Sequence, residues 1–226
     1  MPALVVALLL SLQRSATSPC VGVPAHAPGF TWHYSVMRLA GGRAGVARVS
    51  WAMSVVDTAS AGRATLLLVR GFVTEVAPSE PPASPRLSIL VCSAGSLSQF
   101  KGRSDEETRA AFAQWDDSLA IRSRVFLQAA LYDGQVFGQD QPRQDVLYGW
   151  EVETLAKSPR LPRSCGTSSA NAYRLTYRTN PDITVLDWLD GVGVARYTYD
   201  HHGSPGRVNA RLVSCTRSRA MTPKLK

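Results

Sequence analysis

The last third of the chain has the clearest pattern of hydrophobic and polar positions. Apolar and polar residues alternate without interruption over residues 173–178, and they alternate again over 194–200 and 207–215. A period of two is typical of a β-strand with one buried face, because successive side chains point to opposite sides of the sheet. Residues 183–189, rich in β-branched and large apolar side chains, predict one more strand. Only short turns separate these four segments, so they predict an antiparallel meander.

The N-terminal half repeats this pattern. Strands are predicted over residues 30–39, 46–56, 64–73 and 87–92, with a short strand over 97–100. Between them lie a glycine-rich loop over 40–45, a turn over 58–62 and a connector over 77–85. The connector holds four prolines in nine residues, which excludes both a helix and a paired strand.

One segment predicts a helix. Ser104 followed three residues later by Glu107 is a capping box, and the apolar residues after it continue to about Ser118. Phe112 and Trp115 share one face of this helix and should pack on the sheet.

Residues 121–132 fit either a helix or a strand, and we predict that they are extended at their C-terminal end. In residues 146–152, apolar and polar side chains alternate again, which predicts a further strand. The whole pattern predicts a mainly β fold. It consists of one twisted or curved antiparallel sheet, or half-barrel, of about nine or ten strands with one amphipathic helix.

The N-terminal residues predict where in the cell the protein is located. Ala3–Leu12 is an apolar run that is too short to span a bilayer and long enough for the core of a signal peptide. We therefore predict a signal peptide over 1–25, a single β-rich domain over 26–216 and a basic tail over 217–226, in a protein that is secreted, periplasmic or held at the cell envelope. No Lys or Arg precedes the apolar run, so an internal strand of a cytosolic protein is the alternative. Lipid attachment at Cys20 is a further alternative.

The cysteines point to a disulfide and away from zinc. They lie at positions 20, 92, 165 and 215, without CxxC or Cys/His spacing. If cleavage removes Cys20, at most one disulfide can form within the chain. The candidate pair is Cys165, in a predicted loop, with Cys215, at the end of a strand; buried free thiols are the alternative.

Candidate chemistry is sparse. His201 and His202 are adjacent on a predicted strand and point to opposite faces, so they do not chelate one metal ion unless the chain turns there. The sequence contains no Gly-x-Ser-x-Gly elbow and no phosphate-binding loop. We therefore predict no metal, no cofactor and no catalytic residues.

The charge of the chain is strongly positive. The net charge is +8, carried mainly by arginine. On the meander, four arginines fall on the face opposite the apolar one: Arg174, Arg178, Arg196 and Arg211. Aligned guanidinium groups repel unless they are solvated, paired with Asp182 and Asp200, or opposed by an anionic ligand. An exposed face with scattered ion pairs is one interpretation, and a surface that meets phosphate or lipid head groups is the other.

A resemblance rests on the C-terminal run Gly191-Val192-Gly193-Val194-Ala195-Arg196-Tyr197-Thr198-Tyr199-Asp200-His201-His202-Gly203. With the turn at 177–182 and the segment 28–34, it resembles an uncharacterised family of secreted or lipid-anchored bacterial β-proteins. That family is distantly similar in strand pattern to the half-barrels of periplasmic lipoprotein carriers, which hold acyl chains on their concave side. The resemblance implies a fold and a location, and it implies no activity.

The functional prediction follows from the fold. We expect a non-catalytic cell-envelope protein that binds an apolar or amphipathic ligand, such as a lipid, between the curved sheet and the helix. The candidate lining residues are Trp51, Trp115, Trp150, Trp188, Tyr197 and Tyr199. The alternative is a hydrolase that uses His or Asp at the hairpin end near His201 and His202. A basic surface for anionic lipid or nucleic acid ranks third, and nucleic acid is not expected because basic and aromatic residues do not interleave as in known modules.

Overall fold

The described part of the molecule comes from a computed structural model and comprises residues 27–39, 45–76, 84–93, 96–128, 131–138, 147–166, 171–202 and 206–218. The predicted signal peptide and Cys20 lie outside these ranges. So do most of the glycine-rich loop, most of the proline-rich connector and the basic tail from residue 219 onward.

Within the described residues, twelve strands form one antiparallel sheet, which confirms the predicted mainly β fold and exceeds the expected number of strands. The strands are β1 (Phe30–Leu39), β2 (Val46–Ala61), β3 (Ala64–Arg70), β4 (Leu87–Ser93), β5 (Ser96–Phe100), β6 (Arg124–Gln128), β7 (Val136–Phe137), β8 (Trp150–Thr154), β9 (Ala172–Arg178), β10 (Asp182–Leu189), β11 (Gly193–His201) and β12 (Gly206–Arg217).

Two meanders build this sheet. The order across it is β6-β5-β4-β3-β2-β1-β12-β11-β10-β9-β8-β7, so every neighbour in the sheet is also a neighbour in sequence except one pair. That pair is β1 with β12, whose register runs from Phe30 opposite Arg217 to Leu39 opposite Arg207. Side chains from β5 and β6 at one end of the sheet and from β8 and β9 at the other line the same pocket, so the sheet must curve strongly. The result is a nearly closed barrel.

The inside of the barrel is packed with side chains. Two residues of β1 reach past the neighbouring strand β12: Trp32 Nε1 donates a hydrogen bond to the carbonyl oxygen of Val192 at 2.8 Å, and the Tyr34 hydroxyl donates one to the carbonyl oxygen of Val194 at 3.0 Å. The cavity between Trp32 and Trp188 at the centre has a volume of about 20 Å³. Such a space holds about one water molecule and no acyl chain.

Two short helices pack on the outer face of β3–β5: α1 (Asp105–Ala113) and α2 (Asp117–Ile121). The predicted capping box is present, since the Ser104 hydroxyl accepts a hydrogen bond from the Glu107 amide at 3.1 Å. The single predicted helix over 104–118 is instead broken after Ala113. The Asp116 side chain accepts a hydrogen bond from the Leu119 amide at 3.0 Å and caps a second helix.

Three strand ends differ from the prediction by three residues or more. β2 continues through the expected turn to Ala61, because its residues beyond a bulge between Val55 and Asp57 still pair with β3, as far as Ala61 opposite Ala64. β3 stops at Arg70 because Gly71, at φ +72°, turns the chain where an added Cβ would lie 2.5 Å from the Ala52 carbonyl oxygen. β8 begins only at Trp150, after Tyr148 adopts φ 61°.

A disulfide fastens the connection between β8 and β9 to the sheet. Cys165, at the end of the 3₁₀ turn Arg163–Cys165, bonds to Cys215 of β12 with a Cα–Cα distance of 4.8 Å. The Ser164 hydroxyl supports the same junction by accepting a hydrogen bond from the Cys215 amide at 3.0 Å. Cys92 is also disulfide-bonded, so none of the three described cysteines is a free thiol.

Candidate ligand-binding site

One row of paired residues on the inner face of the sheet creates a pocket at the mouth of the barrel. Reading across β8 to β11, Trp150 lies opposite Tyr177, Tyr177 opposite Thr184, and Thr184 opposite Tyr199. Thr184 is much smaller than its aromatic neighbours, so the row has a gap between them. In the next row inward, Leu175, Leu186 and Tyr197 fill the corresponding positions and close the floor of the gap.

The resulting mouth pocket has a volume of about 370 Å³ and walls of two chemical kinds. Its aromatic wall is formed by Trp150, Tyr177, Tyr197 and Tyr199. The rings of Trp150 and Tyr177 lie 5.2 Å apart between centroids. The remaining lining residues, nearly all polar, are Thr74, Gln99, Val125, Thr179, Asp182 and Thr184.

Asp182 holds a hydrogen-bond network at the rim of the mouth pocket. It accepts a hydrogen bond from the Tyr199 hydroxyl at 2.8 Å and lies 2.5 Å from Nδ1 of His201. Partial desolvation acts against ionisation, but the hydrogen bonds from His201 and Tyr199 outweigh it and lower the pKa of Asp182. Desolvation, together with the bond to Asp182, raises the pKa of Tyr199 to about 12. At neutral pH the rim therefore presents a carboxylate and a neutral phenol.

The predicted lining residues separate into three places. Trp150, Tyr197 and Tyr199 line the mouth pocket, as described above. Trp51 and Trp188 are buried in the core, where Trp51 Nε1 donates a hydrogen bond to the Gly71 carbonyl oxygen at 2.8 Å. Trp115 lies on the outer face, edge-on to Phe100. Phe112, Trp115 and Ala111 fill the space between α1 and the sheet, and the mouth pocket lies inside the sheet instead.

The two histidines separate as expected for adjacent strand residues. His201 contacts Asp182 at the rim, and His202 is exposed in the turn, where its amide donates a hydrogen bond to the Pro181 carbonyl oxygen at 2.8 Å. In the described ranges, no group of three or more His, Cys, Asp or Glu side chains is placed to hold a metal ion.

Three of the predicted arginines form one row on the outer face. Arg174 lies opposite Asp187, Asp187 opposite Arg196, and Arg196 opposite Arg211. Asp187 is only 4% exposed, and Arg174 binds both of its carboxylate oxygens, with Nε 2.9 Å from Oδ1. That hydrogen bond and charge raise the pKa of Arg174.

The acidic partners of these arginines are not the expected ones. The fourth arginine, Arg178, pairs with Glu151 at 2.6 Å. Asp200 pairs with Arg207, and Asp182 faces the barrel mouth, so neither carboxylate pairs with the predicted arginines.

Several site residues escaped the sequence analysis. Tyr177 shares the inner face with Leu175, so the alternation pointed to it, but alternation does not distinguish a pocket from a core. The importance of Thr184 depends on its pairing with Tyr177 and Tyr199, which no local pattern gives. Gln99 lies on β5 near the other end of the sheet and Thr74 lies in the turn between β3 and β4, so only the curvature of the sheet brings them to the pocket.

Together the fold and the pocket define a class: a curved antiparallel β-protein with a packed interior and a mixed aromatic and polar pocket at its mouth. No helix in the described part of the chain is long and apolar enough to cross a membrane.

Comparisons with known proteins give a distant likeness in fold. No protein-family model matches the chain, and no curated protein matches it. Among solved structures, the chain is similar to a protein from Bacteroides fragilis that is inferred to be exported and is described as having a YmcC-like fold. The two chains are 9% identical, with a TM-score of 0.42 over 86% of this chain and 98% of that one. The family suggested by the C-terminal motif remains a prediction.

Proposed function

We propose that this chain is an exported, non-catalytic protein of the cell envelope that binds a small amphipathic ligand in the mouth pocket. The gap at Thr184 in an otherwise aromatic row carries the proposal. It leaves about 370 Å³ open where the next row inward is filled, and this volume lies in the range of pockets that hold small organic ligands.

The walls of the pocket favour a ligand with both apolar and polar parts. The aromatic faces of Trp150 and Tyr177 suit a ring or a short alkyl segment. Gln99, Asp182 and Thr184 present polar atoms that a purely apolar ligand would shield from water without offering them further hydrogen bonds, at a cost in affinity. A hydroxyl-bearing head with a short apolar tail satisfies both kinds of wall.

Export is supported by the sulfur chemistry. Cys165 and Cys215 are joined by a disulfide. Disulfides persist in oxidising compartments and are rare in the cytosol. Together with the predicted signal peptide over 1–25, this favours a secreted or periplasmic location.

The test replaces Thr184 with a larger side chain that fills the gap in the aromatic row. n-Octyl β-D-glucoside is titrated into the full chain while tryptophan fluorescence is followed, since Trp150 lies in the pocket wall. Thr184→Phe should weaken binding roughly tenfold or more, because excluding even two methylene groups costs about 1.6 kcal/mol. The matched control is Thr176→Phe, the same change on the neighbouring strand and the opposite face, and it should leave binding unchanged. Equal binding by both variants would refute the mouth pocket as the site.

A second test addresses the native ligand and the catalytic alternative. Native mass spectrometry of the protein purified from its own host should show an added mass that Thr184→Phe lacks. The Asp182–His201 pair at the rim is the feature that favours a hydrolase. If the protein turned over p-nitrophenyl acetate and replacing both His201 and His202 with Ala abolished that turnover, the non-catalytic proposal would be abandoned.

A further inference from the structure

A second pocket lies on the outer face of the sheet, where β11 and β12 separate. The two strands pair from His201 opposite Gly206 as far as Arg196 opposite Arg211. Beyond that point β12 continues alongside β1, and β11 continues alongside β10. This outer pocket has a volume of about 390 Å³, and the structure lines it with Pro159, Arg160, Leu161, Asp187, Ala195, Arg196, Asn209, Arg211 and Leu212.

The loop that contains residues 159–161 covers the place where β11 and β12 separate, and it is anchored at two points. Leu161 packs against the core, and four residues later Cys165 is bonded to Cys215 of β12. These two attachments position Arg160 over the outer pocket beside Arg196 and Arg211. The three guanidinium groups thus come from a loop and two strands that are distant in sequence.

We propose that the outer pocket binds a phosphate group. Among the described residues, Arg160, Arg196 and Arg211 form no hydrogen bond or ion pair with one another or with any acidic side chain. Arg196 and Arg211 are direct cross-strand neighbours, and like charges in that position are unfavourable unless they are solvated or an anion lies between them. The one carboxylate in the lining, Asp187, is nearly buried and already occupied by Arg174.

The chemistry of the lining selects phosphate. The guanidinium group presents a planar fork of donors that matches two oxygens of one anion. Three such forks, with the amide of Asn209, can bind an anion that has three or more oxygens. The volume exceeds that of free phosphate, and Leu161, Ala195 and Leu212 add apolar wall, so the phosphate should be an ester on a larger organic group.

This site is independent of the mouth pocket. Arg196 and Arg211 point away from the barrel interior, whereas Thr184 and Tyr199 point into it. Binding at one pocket can therefore fail while binding at the other succeeds.

The experiment uses the full chain with two probes. In the first arm, glycerol 3-phosphate and inorganic phosphate are titrated by calorimetry at constant ionic strength. In the second arm, sedimentation measures binding to phosphatidylcholine vesicles with and without phosphatidic acid. The pocket variants are Arg160→Gln and Arg196→Gln, and the control is Arg48→Gln, which removes the same charge from an exposed position on β2. Circular dichroism verifies that each variant is folded.

We expect each pocket variant to weaken binding roughly tenfold or more, the usual effect of losing one charged hydrogen bond, and Arg48→Gln to change it less than about twofold. Arg211→Lys, which keeps the charge and loses the fork, should also weaken binding. A response in the first arm alone identifies a soluble phosphate ester, and a response in the second identifies a lipid head group. The proposal is overturned if neither arm shows binding, or if Arg48→Gln weakens binding as much as the pocket variants do.

Discussion

The hydroxyl of Tyr34 provides a direct test of how the two meanders are held together where β1 meets β12. Tyr34 is only 1% exposed, and its hydroxyl donates a hydrogen bond past β12 to the carbonyl oxygen of Val194 at 3.0 Å. This bond joins β1 to β11, which are 160 residues apart in sequence. Tyr34→Phe removes the hydroxyl and leaves the ring, so it isolates the hydrogen bond from the apolar packing.

The size of the effect follows from burial. Water cannot easily replace the lost donor at Val194, which is itself 1% exposed. Deleting one partner of a buried hydrogen bond costs about 1–2 kcal/mol. For a domain of this size, each kcal/mol corresponds to about 2–4 °C in melting temperature. Tyr34→Phe should therefore lower the melting temperature by roughly 2–8 °C.

The pH dependence gives an independent check on the same side chain. Burial raises the pKa of the Tyr34 hydroxyl well above its ordinary value near 10. A group with a raised folded-state pKa stabilises the protein fully below its unfolded pKa, and that contribution is lost as the pH rises. The stability difference between wild type and Tyr34→Phe should therefore narrow above about pH 10.

Urea unfolding followed by tryptophan fluorescence at pH 7 and pH 10.5 measures both effects. The control is Tyr132→Phe, the same change at an exposed tyrosine, and it should alter the free energy of unfolding by less than about 0.5 kcal/mol. If Tyr34→Phe were as stable as this control at pH 7, the hydrogen bond from Tyr34 to Val194 would not contribute to stability, and the reasoning would fail.

Two further predictions concern the disulfide and the rim of the mouth pocket. Replacing both Cys165 and Cys215 with Ser should lower the free energy of unfolding by about 2–4 kcal/mol, because the bond closes a loop of 50 residues; unchanged urea unfolding would contradict this. Asp182→Asn should make the free energy of unfolding fall less steeply as the pH is lowered. The lowered pKa of Asp182 means that its contribution is present above about pH 4 and is lost as the pH falls through the folded-state value. Urea titrations between pH 2 and pH 7 measure this slope, and an unchanged slope would rule out Asp182 as its source.

The strand pattern was predictable because it is local. The alternation over 173–178 and 207–215 reports which face of each strand is buried, and the structure places Leu175, Val208 and Ala210 inside the barrel. Likewise, the cap at Ser104 depends on residues within one helical turn. Such features depend only on residues that are close in sequence, so the pattern of residue types predicts them.

Local residue patterns were therefore enough to predict an antiparallel β-protein, the approximate positions of most strands and which side of the C-terminal meander is apolar. The tertiary structure alone decided that β1 pairs with β12, that Thr184 opens a gap between Tyr177 and Tyr199, and that Asp187 neutralises Arg174 while Arg196 and Arg211 face a pocket. These features depend on the register with which the strands pair. Which side chains become neighbours across strands depends on pairings and bulges between segments far apart in the chain, and a one-residue shift would replace every one of these neighbours.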